Sequence, residues 1–112
     1  RALMSRPKLL ILDEPCAGLD PAAREHFLQF LQRLGKQRNA PTLMLVTHHV
    51  EEIMPVFSHV MILKDGGVLA AGGKTEMLTS QLLSKAFDSR VRLKQTAGRY
   101  ALTVTPTTKS VM

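Results

Sequence analysis

Two short apolar runs on either side of a helical pattern organise the first half of the chain. Residues 8–12 form a continuous apolar run that ends at two acids and a proline, which is typical of a strand buried on both faces. Residues 42–47 form a second run of this kind. Between them, Asp20 and Pro21 predict the N-cap and first position of a helix, and Gly35 is expected to end it.

This helix is expected to present one apolar stripe to a core. The apolar residues that recur at helical spacing are Ala23, Phe27, Phe30, Leu31 and Leu34. The polar residues expected to face solvent are Arg24, Gln32 and Arg33. The first half of the chain therefore predicts the order strand, helix, strand.

The second half begins with a short helix predicted over about residues 50–54, which Pro55 should end. Residues 60–63 and 68–71 flank Lys64-Asp65-Gly66-Gly67, whose Asp-Gly and Gly-Gly pairs tolerate the positive φ of a tight hairpin turn. This pattern predicts an antiparallel hairpin after the short helix.

The last third is predicted to be a helix followed by a basic hairpin. The helix should run from about Lys74 to Phe87, after which apolar and polar residues alternate on both sides of Ala97-Gly98. We therefore divide the chain into residues 1–88, a basic β-hairpin extension over residues 89–105, and a disordered tail over residues 106–112.

Composition narrows the class of protein without naming a function. A chain of 112 residues fits one domain or part of one, and its hydrophobic content of 45% is ordinary for a globular protein. It has no apolar run near the ~20 residues that cross a membrane and no secretory signal. The first residue is Arg1, so we expect the natural start to lie further upstream. The single cysteine, Cys16, favours a cytoplasmic setting.

The net charge of +6 is concentrated near the end of the chain. From residue 85 onward the only acid is Asp88, and the bases are Lys85, Arg90, Arg92, Lys94, Arg99 and Lys109. Such a tail can bind nucleic acid or an anionic membrane surface. We favour a solvated face, because Tyr100 is the only aromatic residue between Arg90 and Lys109 and base stacking needs more.

Three side chains suited to phosphate chemistry follow the two strands of the first half. Strands joined through a helix are almost always parallel, so their carboxyl ends meet at one edge of the sheet. Asp13 and Glu14 follow the first strand and His48 follows the second. An acid at the end of a buried strand is costly unless it is paired or near a metal, which makes Asp13 a candidate magnesium ligand.

Glu14 and His48 could act on the same phosphate. The glutamate can polarise a water for attack on phosphorus, and the imidazole can donate a hydrogen bond to a phosphate oxygen. Taken singly, these signals leave a structural interpretation open: an acidic pair can cap a turn, and a lone histidine is more often structural than catalytic. The residues alone therefore do not decide between a structural and a catalytic role for these side chains.

The order of the motifs resembles that of ABC-type ATPases. Residues 9–15 resemble the Walker B strand and the glutamate that follows it, residues 17–20 resemble the D-loop, and Thr47-His48 resembles the switch histidine of that family. Residues 1–3 look like the end of the helix after the family's signature sequence. The resemblance covers most of residues 1–88.

The resemblance implies a fold and a set of roles. The fold would be α/β: a partial P-loop NTPase core, RecA-like as in ABC ATPases, with parallel strands and flanking helices plus C-terminal β-hairpins. In it, Asp13 would hold Mg²⁺, Glu14 would be the general base, His48 would sense the γ-phosphate of ATP, and Asp20 would contact the opposite subunit at the nucleotide. Members of the family work as head-to-tail dimers that share two ATP molecules.

The chain also departs from the family pattern. Cys16 stands where threonine or serine is common, which we interpret as neutral packing. His49 replaces the usual acid after the switch histidine, so the sequence leaves open which of the two imidazoles points inward. We do not expect His48 and His49 to bind a metal as a pair without further ligands.

The sequence contains no G-x-x-x-x-G-K-[ST] loop, glutamine loop or signature motif. We expect these to lie upstream, and we expect this piece alone to be inactive.

Three functions are compatible with this pattern. The first is the ATPase subunit of an ABC transporter, cytoplasmic and peripheral at the inner face of the cell membrane, with transmembrane permease subunits as partners. The second is a soluble ABC ATPase that acts on nucleic acid or ribosomes, and the third is a non-catalytic dimerisation remnant. Residues 75–87 and the terminal hairpin resemble importer-type ATPases, which favours the first. Because the family's phosphate-loop strand is missing, we also expect an open sheet edge, some exposed apolar surface, and self-association or strand exchange.

Overall fold

A computed structural model describes residues 8–105 of the chain. The expected tail over residues 106–112 and the resemblance of residues 1–3 lie outside these residues. The described chain forms two compact units, one that ends at Val56 and one that begins at Phe57. The boundary that we expect at residue 88 stays a prediction.

The first unit contains two parallel strands and one long helix. Its elements are β1 (Leu9–Asp13), α1 (Pro21–Gly35), β2 (Thr42–Val46) and a single 3-10 turn (Val50–Glu52). β1 and β2 pair in parallel, with Leu9 opposite Thr42 and Asp13 opposite Val46. The predicted strand-helix-strand unit is therefore present, and both strands end at the same edge of the sheet.

The helix α1 begins as its sequence predicts. The carboxylate of Asp20 accepts a hydrogen bond from the backbone N–H of Ala23 at 2.8 Å, and Pro21 occupies the first turn. This cap satisfies a backbone donor that the helix itself cannot pair.

The inward face of α1 differs from the predicted stripe. Leu28, which the stripe omits, is fully buried, and Leu31 is also buried, whereas Phe30 is 48% exposed. Arg24 is half-buried rather than solvated, so the inward line runs through Arg24, Leu28, Leu31 and Gly35. The helix is rotated because Arg24 has a buried acid to pair with, Glu52, and because Gly35 permits close packing at the other end.

Gly35 is the last residue of α1, but it is not a left-handed terminator. The residue after it, Lys36, keeps a right-handed φ of −91°, and a Cβ placed on Gly35 would lie 2.5 Å from Cγ2 of Val56. The glycine is therefore required for close approach.

We expect Gly35→Ala to destabilise the chain by about 1–3 kcal/mol, the usual cost of forcing an extra carbon into a packed site. Urea denaturation followed by circular dichroism measures it. Gly67→Ala is the matched control, because a Cβ there would meet nothing closer than 3.9 Å. Equal stabilities of the two variants would refute the packing role of Gly35.

One face of the β1–β2 sheet is open in the described chain. Leu9, Ile11, Met44 and Val46 lie on this face, and each is between 41% and 56% exposed. The prediction that the first strand is buried on both faces is therefore wrong for this chain, whereas the expectation that some apolar surface is open is confirmed. The residues on the other face are partly buried. We call the set Leu9, Ile11, Met44 and Val46 the open face.

The second unit consists of two antiparallel hairpins with short helices between them. Its elements are β3 (His59–Lys64), β4 (Gly67–Gly73), α2 (Lys74–Met77), α3 (Ser80–Phe87), β5 (Val91–Thr96) and β6 (Arg99–Val104). The turns have positive φ at both central residues, Asp65 and Gly66 in one hairpin and Ala97 and Gly98 in the other. Both hairpins are thus where the sequence predicts them.

The single helix predicted over residues 74–87 is in fact two. Thr79 has extended backbone angles, and its hydroxyl accepts a hydrogen bond from the N–H of Leu82 at 3.1 Å. A threonine that caps a new helix competes with continuation of the preceding one, so the chain breaks at Leu78 and Thr79.

The basic hairpin exposes three of its four basic side chains, those of Arg90, Arg92 and Lys94, whereas Arg99 is half-buried. Tyr100 is only 5% exposed. The one aromatic ring of this segment is therefore not available for base stacking. Hydroxyls of α3 secure the inner side: Ser84 accepts from the N–H of Val91 at 3.0 Å and Ser80 from that of Leu93 at 2.9 Å.

Candidate functional site

The acid pair sits at the carboxyl end of β1. Asp13 is the last residue of the strand, opposite Val46. Glu14 follows it with a left-handed φ of 47°, and its backbone N–H donates to the carbonyl of Val46 at 2.8 Å. This left-handed residue turns the chain sharply while β2 still holds it, so the two carboxylates leave the backbone at the sheet edge in a fixed conformation.

His48 reaches this acid pair from the end of β2. Its Nε2 lies 3.4 Å from Oε2 of Glu14, and the side chains are 82% and 30% exposed respectively. Oε2 of Glu14 is buried and has no hydrogen-bond partner within residues 8–105.

The structure also distinguishes the two adjacent histidines. His48 is the one that contacts Glu14, whereas His49 lines a neighbouring pocket and donates its backbone N–H to the hydroxyl of Thr47 at 3.0 Å. His48 therefore makes the contact with Glu14, and which imidazole acts on a phosphate stays a prediction.

The neighbouring pocket is small and open, with a volume of about 220 Å³. It is lined by Glu14, Cys16, Ala17, Gly18, Leu19, Arg24, His49 and Glu52. Burial, and next the charge of Glu52, raise the pKa of the Cys16 thiol. A buried thiol that stays protonated is a poor nucleophile, which agrees with a packing role for this cysteine.

The carboxylates of Asp20 and Asp13 are both accessible, but they lie on different elements of the fold. Asp20 is exposed at the start of α1, and one of its carboxylate oxygens is occupied by the helix cap. Asp13 lies on the same side of β1 as the open face and is exposed. The burial cost that suggested a metal beside Asp13 is thus absent from this chain.

The donor set nevertheless suits Mg²⁺. This ion keeps several waters and typically takes one or two carboxylates together with substrate phosphates, so a single accessible aspartate at the sheet edge is sufficient. Among residues 8–105, no cluster of three or more histidine, cysteine, aspartate or glutamate side chains could hold a metal by itself. The described residues therefore offer Asp13 as one accessible carboxylate at this edge of the sheet.

Sequence analysis missed Glu52, predicted that Arg24 faces solvent, and gave the hydroxyl of Thr47 no role of its own. Glu52 is only 2% exposed, the hydroxyl of Thr47 donates to it at 2.7 Å, and Nε of Arg24 lies 3.9 Å from it. No charge pattern distinguishes Glu52 from the adjacent Glu51, and only the geometry of the 3-10 turn selects which of the two faces inward.

The chain is similar to proteins whose names place them in one family, although no family model matches it. It is 48% identical to the uncharacterized ABC transporter ATP-binding protein YlmA of Bacillus subtilis, over 92% of this chain and 39% of that protein. It is 36% identical to the uncharacterized ABC transporter ATP-binding protein YmeB of Lactococcus lactis, over 89% of this chain and 39% of that protein.

Two further matches agree with this result. The chain is 37% identical to the molybdenum import ATP-binding protein ModC of Rhodopseudomonas palustris, over 89% of this chain and 27% of that protein. A solved structure of a metal-chelate type ABC transporter in an inward-facing conformation matches 94% of this chain and 42% of its own, with a TM-score of 0.71 and 23% identity. That match supports the fold alone.

The fold is therefore part of a P-loop α/β core of the ABC ATPase type, as the resemblance implies. The chain belongs to the ABC transporter ATP-binding proteins. It spans about two fifths of the length of the first two relatives named above.

Proposed function

We propose that this chain is the part of an ABC transporter's ATP-hydrolysing subunit that positions magnesium and the attacking water. The observation that carries the proposal is the contact of 3.4 Å between Glu14 and His48 at the carboxyl ends of two parallel strands. Open α/β sheets bind their ligands at this edge, so a phosphate that enters there meets both side chains.

Each residue has one role in this proposal. Glu14 accepts the proton of a water as that water attacks the γ-phosphorus. His48 donates a hydrogen bond to the γ-phosphate, where negative charge collects. Asp13 holds Mg²⁺, which when bound neutralises charge on the β- and γ-phosphates.

The partners are proposed on the same basis. Asp20 is exposed at the start of α1, where it can meet an opposite subunit in a head-to-tail dimer. The names of the relatives support a transporter over a soluble ATPase that acts on nucleic acid, and a transporter requires permease subunits. None of the helices within residues 8–105 is long and apolar enough to cross a bilayer. We place the subunit on the cytoplasmic side of the membrane, against its permease.

The assignment is tested by ATP turnover in a full-length protein that contains this segment. Turnover should depend on Glu14 while nucleotide binding does not. A full-length protein that binds no nucleotide would contradict the proposal.

We further propose that the 112-residue chain alone self-associates through the open face. Four apolar side chains that are each at least 41% exposed form one contiguous surface. Within residues 8–105 each strand of this sheet pairs with one neighbour only, so a sheet edge adjoins that surface.

Sedimentation velocity across a range of concentrations should show reversible association. Ile11→Glu should weaken the association at least about tenfold, because a charge cannot be desolvated cheaply in such a contact. Leu63→Glu is the control, since Leu63 is 64% exposed on the other unit. A monomer at high concentration, or equal effects of both substitutions, would contradict the role of the open face.

A further inference from the structure

Glu52 is a buried acid that the proposed reaction does not use. It is only 2% exposed although it lies in a short 3-10 turn. A buried carboxylate is costly unless it is hydrogen-bonded and paired with charge, so its surroundings should explain its presence.

Its two carboxylate oxygens have separate partners. Oε1 accepts a hydrogen bond from the hydroxyl of Thr47 at 2.7 Å, and Oε2 lies 3.9 Å from Nε of Arg24. The first contact is short and charge-assisted, and the second is long for an ion pair. The link to Thr47 is therefore the stronger of the two.

The bond to Glu52 fixes the orientation of the Thr47 hydroxyl. A hydroxyl has one hydrogen to donate, so once that hydrogen is directed at Glu52 the oxygen lone pairs are left to accept. The backbone N–H of His49 donates to this oxygen at 3.0 Å. Thr47 and His49 are thus joined across His48, and the backbone that carries the imidazole is held in one turn.

We propose that Glu52 is a positioning residue: through the Thr47 hydroxyl it sets the turn that places His48 beside Glu14. This inference rests on the proposed function for its kinetic consequence, whereas its structural part does not. Glu52 touches neither the phosphate nor the water in this scheme, and it acts only by holding the segment from Thr47 to His49.

Arg24 connects Glu52 to α1. The backbone N–H of Arg24 donates to the carbonyl of Asp20 at 2.9 Å in the first turn of the helix, and its side chain turns to Glu52. The same carboxylate therefore contacts both the start of α1 and the turn after β2. This arrangement explains why Arg24 faces inward.

The kinetic test uses the full-length ATPase. Thr47→Val removes the hydroxyl with little change in volume, and we expect kcat to fall about 10- to 100-fold, the usual effect of displacing a catalytic group by an ångström or so. KM for ATP should change less than about threefold, because the phosphate-gripping groups are elsewhere. Thr47→Ser restores the hydroxyl and should recover kcat to within about threefold of wild type.

Glu52 itself is tested by a matched pair. Glu52→Gln keeps an oxygen that can accept from Thr47, whereas Glu52→Ala does not, so kcat should fall at least about tenfold more in the alanine variant. Thr103→Val, on an exposed strand position of the other unit, is the control for the threonine change and should have wild-type kcat. Equal kcat values for Thr47→Val and Thr47→Ser, or for the two Glu52 variants, would overturn the proposal.

A second measurement, on the 112-residue chain by nuclear magnetic resonance, separates this proposal from the proposed function. In Thr47→Val the backbone N–H of His49 should exchange with solvent about tenfold faster, and the nuclear Overhauser contact between His48 and Glu14 should disappear. Exchange at β1 and β2 should not change, which excludes general unfolding. If the full-length protein hydrolyses no ATP, the proposed function is wrong. The positioning role of Glu52 is then tested by the nuclear magnetic resonance measurement alone. A retained His48–Glu14 contact would overturn it.

Discussion

Glu14→Gln in the full-length ATPase is expected to lower the rate of ATP hydrolysis about 10²- to 10⁴-fold, the typical contribution of a positioned general base. Glutamine has nearly the same shape and can still hold a water, but it cannot take its proton. Binding should persist, because replacing the carboxylate removes a negative charge close to the phosphates. Single-turnover hydrolysis and equilibrium binding of a fluorescent ATP analogue measure the two effects separately.

The control for this variant is Glu76→Gln, which makes the same chemical change at an exposed position of α2. It should hydrolyse ATP like the wild type. Turnover by Glu14→Gln within about twofold of wild type would remove Glu14 from its proposed role. A parallel loss of binding and turnover would instead assign it to nucleotide binding.

The 112-residue chain by itself is expected to bind Mg-ATP more weakly than about 1 mM and to hydrolyse none of it. Its sequence contains no glycine-rich phosphate loop with its lysine. Without the backbone N–H groups and the cation that neutralise the phosphates, the carboxylates of Asp13 and Glu14 repel them.

Isothermal titration of the chain with Mg-ATP tests this expectation, with the full-length protein as the positive control. Repeating the titration with Glu14→Gln, which leaves the proposed magnesium ligand Asp13 in place, should improve any residual binding, because one source of repulsion is removed. Micromolar affinity of the unmodified chain would contradict this account of how the phosphates are held.

The features that follow from local sequence could be predicted. Asp20 and Pro21 define the start of α1, and the Asp-Gly and Ala-Gly pairs define both hairpin turns, because each depends on the backbone preferences of two or three residues. The parallel pairing of β1 and β2 follows from the helix that joins them. These local signals were sufficient to bring Glu14 and His48 to one edge of the sheet.

Features that depend on tertiary partners could not be predicted. The inward face of α1 is set by Glu52, which lies 28 positions after Arg24, and by Val56 against Gly35. Helical periodicity alone gave a stripe that includes Phe30 and omits Leu28. The break at Thr79 depends on its hydroxyl capping the next helix, which competes with a continuous helix of similar apolar spacing.

The open face shows a different limit of prediction from sequence. Leu9 and Ile11 have the composition of a strand buried on both sides, yet they are 49% and 56% exposed here. Their sequence is suited to neighbours on both faces of the sheet, and the described chain supplies them on one face only. The apolar composition of β1 thus indicated that the strand is suited to packing on both faces, but it did not show whether this chain supplies the packing partners.

The central claim is that two parallel strands bring Glu14 and His48 together, and nuclear Overhauser contacts in the 112-residue chain test it most directly. We predict contacts between β1 and β2 in the parallel register, with Leu10 beside Leu43 and Leu12 beside Leu45, together with a contact between the ring of His48 and the side chain of Glu14. An antiparallel pattern of contacts, or a folded chain in which the His48 ring has no contact with Glu14, would contradict the claim.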